Sequence, residues 1–145
     1  MPILLDVKAA SSFRPPLQLD SGYVGFGDIY SHAQGFFHQP FDIPTIEYAQ
    51  SIIQPASPAE VLSGNAIKFD SPAYKGKMLI TTGEFDLIGC GGNCAPRFEY
   101  GVQNNTYPST KVETYLHPGA GHGINFARNA TGFYATILDF LDRNM

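Results

Sequence analysis

Hydrophobic residues recur with helical spacing most clearly near the C-terminus of the chain. The positions i, i+3, i+4, i+7, i+8 and i+11 are occupied by Ala130, Phe133, Tyr134, Ile137, Leu138 and Leu141. This spacing places apolar side chains along one face of a helix. Asp139, Asp142 and Arg143 fall on the opposite face. The pattern therefore predicts an amphipathic helix across these positions.

Two short apolar runs upstream of this helix predict β-strands. Residues 78–82 are apolar or β-branched and stop at Gly83, which is typical of a buried strand. Residues 112–116 alternate in polarity and are followed by His117-Pro-Gly, which favours a turn. Between the two strands, the segment 97–102 is predicted to be helical. The order strand, helix, strand, helix predicts an α/β fold with parallel strands.

The first half of the chain has a different character. It holds most of the prolines together with glycines and aromatic residues, and it shows little periodicity. Such a composition predicts loops with short helices, one over 45–53 and a second that begins at Ser57, with Pro58 at its first helical position, and ends at Gly64. We therefore divide the chain into a proline-rich segment, 1–74, and an α/β segment, 75–145.

Composition and charge exclude several classes of function. The chain has 145 residues, enough for one domain, with 15% charged residues and a net charge of −4. Its nine Lys and Arg residues are scattered, so it lacks the basic patch typical of nucleic-acid-binding proteins. No apolar run approaches the roughly 20 residues of a membrane span. The N-terminal sequence has no basic region and does not resemble a signal peptide.

Motifs for metals and cofactors are weak. Cys90 and Cys94 lack the two-residue spacing of common zinc sites. The glycines within 22–27 do not follow the dinucleotide-binding pattern, and no strand is predicted before them. We expect neither a metal ion nor a cofactor.

The loops that follow the two predicted strands carry the best candidates for chemistry. Asp86 lies in the first loop, and His122, flanked by glycines, lies in the second. Parallel strands bring such loops to the same edge of a sheet. A carboxylate that accepts a hydrogen bond from one imidazole nitrogen fixes the tautomer of the ring and stabilises its protonated form. We therefore predict that Asp86 and His122 face each other and form a hydrogen bond.

Other interpretations of these loops stay open at the level of sequence. Asp86 is also placed to cap a helix, and His122 to make an ordinary loop hydrogen bond. Glu84 is a rival acid, although its position two residues away should direct it elsewhere. His117 is a rival histidine nearer the strand end. The histidines that we interpret as surface or packing residues are His32 and His38.

The sequence around these loops resembles a known family. Residues 77–94 (KMLITTGEFDLIGCGGNC) and 117–126 (HPGAGHGINF) resemble the C-terminal part of the α/β-hydrolase fold. More narrowly, they resemble a group of fungal, often secreted, α/β hydrolases. The resemblance covers about 75–145 and implies that Asp86 is the acid and His122 the histidine of a catalytic triad. It also implies that the last helix of the fold spans about 126–143.

The remainder of the chain departs from the family pattern. Residues 13–74 resemble only loosely the lid segment of such enzymes. The nucleophile motif Gly-x-Ser-x-Gly does not occur in the sequence. The chain thus looks like the C-terminal portion of a secreted hydrolase for a small ester or acyl substrate, with negligible activity by itself. The alternatives are a non-catalytic remnant that binds another molecule, or a partner chain that supplies the serine.

A further expectation concerns the cysteines. Cys90 and Cys94 are separated by a Gly-Gly-Asn sequence, which allows the Cα separation that a disulfide requires. We predict a disulfide in an oxidising compartment, and a reduced pair in a loop is the alternative.

Overall fold

The computed structural model describes most of the chain, and the described residues form two compact units. The described ranges are 5–12, 22–63, 66, 71–100 and 107–145. The first unit takes its residues from Met1–Gln34 and Asp42–Lys68, and the second from Gly35–Phe41 and Phe69–Met145.

The first unit combines a small sheet with short helices. Strands β1 (Val7–Ala9) and β2 (Val24–Phe26) pair antiparallel. The helices of this part of the chain are α1 (Ile29–Phe36), α2 (Ile43–Ser51) and α3 (Pro58–Ser63). The last two residues of α1 are counted with the second unit. The strands and α1 were not predicted, because three-residue strands are too short to show a period of two.

Helix α2 begins two residues earlier than the pattern of apolar residues predicts. The Asp42 carboxylate accepts hydrogen bonds from the backbone N–H and the hydroxyl of Thr45, at 3.0 and 2.6 Å. Pro44 lies in the first turn, where its missing N–H costs no helical hydrogen bond. The cap therefore fixes the start of the helix, which ends at Ser51 rather than at residue 53. Helix α3 starts at Pro58 as predicted, and its predicted end at Gly64 lies outside the described residues.

The second unit contains a parallel strand pair. Strands β3 (Met78–Gly83) and β4 (Val112–His117) pair from Met78 opposite Val112 to Gly83 opposite His117. Both strands and their parallel pairing were predicted, and each strand is one residue longer than expected. The structure is thus a mixed α/β protein with a small parallel sheet.

The strands are half-buried, whereas the sequence predicted a buried strand at 78–82. In β3 only Gly83 is buried, and the other five residues are partly exposed. The reason is that the sheet to which β3 belongs has two strands within the described residues, so each strand has a neighbour on one side only.

Helices α4 (Leu87–Cys90), α5 (Ala95–Tyr100) and α6 (Ala130–Asn144) complete the second unit. Helix α5 begins two residues before the predicted start, and the end of the predicted segment, 101–102, lies outside the described residues.

Helix α6 confirms the predicted amphipathic helix, although it begins at Ala130 and not at about residue 126, where Ile124–Phe126 form a separate 3-10 turn. Its apolar stripe is only partly covered. Leu138 is 60% exposed and Tyr134 46% exposed, whereas Phe133 and Ile137 are partly buried. Neither α6 nor any other described helix is long and apolar enough to cross a membrane.

Candidate functional site

The carboxyl ends of β3 and β4 bring the two candidate loops into backbone contact. A side chain at Gly83 would place its Cβ 2.5 Å from the carbonyl oxygen of Ala120 and against that of Gly121. Only glycine allows this approach of the loop after β3 to the loop after β4. The Phe85 N–H donates to the Ala120 carbonyl at 2.9 Å, which ties the loops together.

Asp86 and His122 form a hydrogen bond at this edge of the sheet. Asp86 Oδ2 and His122 Nδ1 are 2.9 Å apart, although 36 residues separate them in the chain. The predicted juxtaposition is confirmed. The alternative role of Asp86 as a helix cap is also realised, because its Oδ1 accepts a hydrogen bond from the Gly89 N–H at 2.6 Å and so caps α4.

The environment of Asp86 favours its ionised form. The residue is buried, and burial alone would raise the pKa of the carboxyl group. The Gly89 N–H, the Thr82 hydroxyl at 2.5 Å and the His122 ring outweigh this effect, so the pKa lies below its ordinary value. An ionised carboxylate only accepts hydrogen bonds, so Nδ1 of His122 is the protonated nitrogen of the neutral ring.

The geometry leaves the second nitrogen of His122 available. The side chain is 39% exposed, in contrast to Asp86 behind it. Within the described part of the chain, Nε2 has no hydrogen-bond partner. The rings of His122 and Phe36 pack edge-to-face, with centroids 4.9 Å apart and ring planes at 89° to each other. His122 therefore presents an unprotonated nitrogen from a ring that is held on two sides.

The segment around Phe36 packs directly on the histidine loop. The Gly123 N–H donates to the Phe36 carbonyl at 2.7 Å. A Cβ at Gly121 would lie 2.7 Å from the same oxygen and 2.8 Å from the carbonyl carbon of Phe37. A second glycine is thus required by close backbone contact next to His122.

The two rival residues have other partners. Glu84 directs its carboxylate to the backbone N–H of Gly119, at 2.9 Å, as its offset from Asp86 suggested. His117 is buried at the end of β4, where its Nδ1 is 3.2 Å from the Tyr115 hydroxyl and its ring packs edge-to-face against Phe133. Among the described residues, His117 Nε2 has no hydrogen-bond partner.

The remaining histidines pack against aromatic rings. His32 is buried in the first unit, stacks on Phe26 and lies 2.8 Å from the Gln50 side chain. His38 is exposed and stacks on Phe85 with centroids 3.9 Å apart. Both observations agree with the interpretation as packing or surface residues.

Sequence reasoning missed two residues of the site. Thr82 was assigned to the strand, and its position four residues before Asp86 gave no indication that the hydroxyl binds the carboxylate. Phe36 lies far from His122 in the sequence, and its contact depends on tertiary packing. Aromatic residues in this segment were interpreted mainly as packing, and no local pattern singles out Phe36.

Cys90 and Cys94 lie at disulfide-bonding distance directly after the acid. Their Cα atoms are 5.1 Å apart. The bridge closes the turn that begins at Asp86, whose carbonyl accepts hydrogen bonds from the N–H groups of Cys90 and Gly92, each at 3.1 Å. The geometry fits the predicted disulfide, and the pair lies on the backbone that carries the carboxylate.

In the part of the chain that the structure describes, no three His, Cys, Asp or Glu side chains are grouped to hold a metal ion. Comparisons of the sequence with protein-family models and with curated proteins give no match.

Proposed function

We propose that this chain carries the acid and histidine of an α/β-hydrolase catalytic triad, with Asp86 as the acid and His122 as the general base. The observation that carries the proposal is the 2.9 Å contact between Asp86 Oδ2 and His122 Nδ1 at the carboxyl edge of parallel strands. Ligands of open α/β sheets bind at that edge. The mixed α/β architecture and the order of acid and histidine along the chain also support the proposal.

The chemistry follows from the two ring nitrogens. Asp86 accepts the Nδ1 proton and holds the imidazole in one orientation, which leaves Nε2 to accept the proton of a hydroxyl nucleophile. The ionised carboxylate then stabilises the imidazolium, which returns the proton to the leaving group. By this proposal the substrate is a small carboxylic ester or related acyl compound.

The sequence contains no Gly-x-Ser-x-Gly, so the proposal assigns no nucleophile within these 145 residues. A histidine accelerates acyl transfer as a general base only for a nucleophile within hydrogen-bond reach. We therefore propose that the chain alone has negligible esterase activity. From the family resemblance we also propose a secreted, oxidising location, in which a bridge between Cys90 and Cys94 would persist.

Hydrolysis of a p-nitrophenyl ester tests the proposal. The 145-residue protein should act no faster than an equal concentration of free imidazole. Translation of the DNA upstream of Met1 should reveal an in-frame Gly-x-Ser-x-Gly. The longer protein should hydrolyse the ester, and the substitution His122→Ala should abolish this activity. A stoichiometric burst of product from the 145-residue protein would overturn the proposal, because it would reveal a nucleophile within this sequence.

One observation favours the alternative of a non-catalytic binding module. Leu138 and Tyr134 expose apolar surface on α6, which is a property of surfaces that contact other molecules. A longer protein that is inert with and without His122 would support this alternative.

A further inference from the structure

Glu84 connects the loop of the acid to the loop of the histidine. It lies two residues before Asp86, and its Oε2 accepts a hydrogen bond from the backbone N–H of Gly119 at 2.9 Å, across 35 residues of sequence. The backbone of Glu84 makes a second connection, because its N–H donates to the carbonyl of His117 at 3.0 Å. One residue thus holds the turn between His117 and Gly119 at two points.

That turn determines where the histidine loop starts. Gly119 has a φ of +68°, in the left-handed region that favours glycine, and the chain reverses there as it leaves β4. Ala120 follows, and its carbonyl accepts the hydrogen bond from the Phe85 N–H at 2.9 Å. His122 comes two residues later, so a change at Gly119 is transmitted through a very short, closely packed segment.

The Glu84 carboxylate is suited to this role. Hydrogen bonds from an N–H to an ionised carboxylate are stronger and shorter than those between neutral groups. Since the described structure directs this side chain to a backbone N–H and not to an imidazole, Glu84 has no part in proton transfer.

We infer that Glu84 is a positioning residue for His122: its hydrogen bond to Gly119 holds the loop so that Nδ1 stays in contact with Asp86. The use of this pair in hydrolysis rests on the proposed function. The positioning effect itself is a property of the two loops and is measurable without a substrate.

Solvent exchange of the His122 Nδ1 proton, followed by NMR, tests the inference on the 145-residue protein. Glu84→Ala removes the acceptor and should accelerate exchange roughly tenfold, since one charged hydrogen bond restrains the loop. Glu84→Asp keeps the charge but shortens the side chain, so it should also accelerate exchange. Glu84→Gln retains an oxygen at the same reach and should restore most of the protection.

Glu113→Ala is the matched control, because it removes a carboxylate of β4 that binds Arg143 on α6. In this variant the His122 Nδ1 proton should exchange at the same rate as in the unmodified protein. Unchanged exchange in Glu84→Ala would overturn the inference. Protection in Glu84→Asp together with rapid exchange in Glu84→Gln would also overturn it, because charge rather than the hydrogen bond would then be responsible. If Glu84→Ala does not fold, the Asp and Gln variants decide between these outcomes.

Asp86→Ala separates this inference from the proposed function. If Asp86→Ala, which removes the acceptor oxygen altogether, leaves the Nδ1 proton protected, the acid–histidine pair itself is wrong. If Asp86→Ala removes the protection and Glu84→Ala does not alter it, the pair stands and only the positioning role fails.

Discussion

At the scale of single residues, the Asp86 carboxylate accepts hydrogen bonds from a backbone N–H, a hydroxyl and an imidazole. It is buried, caps α4 and binds both Thr82 and His122 through one carboxylate. The Gly89 N–H and the Thr82 hydroxyl would donate to this group whether or not it served in catalysis. The same hydrogen bonds that hold the acid in place thus also contribute to the stability of the fold.

The lowered pKa of Asp86 predicts a specific loss of stability in acid. Because its pKa in the folded protein lies below the unfolded value of about 3.9, ionised Asp86 stabilises the fold at higher pH, and this contribution is lost as pH falls through the folded pKa. Asp86→Asn should lower the free energy of unfolding by about 2 kcal/mol at pH 7. The difference should shrink below about pH 4 in denaturant titrations. A difference that is independent of pH would contradict this account.

The histidine of the first unit makes a separate prediction. Burial lowers the pKa of His32, and the hydrogen bond to Gln50 offsets this only in part. The folded protein therefore binds fewer protons than the unfolded chain below about pH 6.5, and stability should fall as pH drops from there. His32→Gln should weaken this pH dependence in thermal unfolding scans. An identical pH dependence in the variant would show that His32 is not the group responsible.

Two glycines of the second unit provide a matched pair of substitutions. Gly121→Ala pushes a Cβ against the backbone of Phe36 and Phe37 and should destabilise the protein by about 1–3 kcal/mol. Gly132→Ala lies within α6, where the new Cβ meets His117 Cε1 at an ordinary 3.7 Å. Because alanine favours the helical conformation more than glycine does, Gly132→Ala should raise the free energy of unfolding by up to about 1 kcal/mol. Chemical denaturation of both variants checks this, and equal effects would refute the close contact at Gly121.

At the scale of elements, the turn from Asp86 to Cys94 is the most constrained connection of the site. It combines the short helix α4 with the Cys90–Cys94 bridge, and the Cys94 N–H donates to the Glu84 carbonyl at 3.0 Å. The bridge therefore fastens the segment on which both Glu84 and Asp86 lie.

Removing the bridge should destabilise the protein measurably. The chain-entropy model for so short a loop gives a loss of about 2 kcal/mol for the double variant Cys90→Ser, Cys94→Ser. Denaturant unfolding without reductant measures the difference, and adding reductant should affect the unmodified protein but not the variant. An unchanged midpoint would show that the bridge does not constrain the chain.

At the scale of the whole molecule, the elements with strong local patterns were predictable, and the tertiary contacts were predictable only where they follow from the pairing of those elements. The strands at 78–82 and 112–116 and helix α6 appear in the sequence as apolar runs or a period of 3.6, and the structure contains all three. Asp86 and His122 were predictable because each follows a strand, and parallel strands end at one edge. The contact of Phe36 with His122 was not, because it depends on how a distant segment packs.

The extent of burial was the least predictable property. The apolar run at 78–82 indicated a buried strand, yet β3 is half-buried, and Leu138 in the apolar stripe of α6 is exposed. Composition reports which residues favour burial, whereas actual coverage depends on how many neighbouring elements pack against them.

We propose that Asp86 orients His122 with Nδ1 protonated and Nε2 available as a base. Nitrogen-15 NMR of the His122 ring, at a pH where imidazoles are neutral, tests it most directly because the chemical shifts distinguish the two tautomers. Because Nδ1 donates to the Asp86 carboxylate, we expect the Nδ1–H tautomer in the unmodified protein and a shift towards the Nε2–H tautomer in Asp86→Asn. If the unmodified protein carries its proton on Nε2, that nitrogen cannot accept a proton from a nucleophile, and the assignment of His122 as the base is wrong.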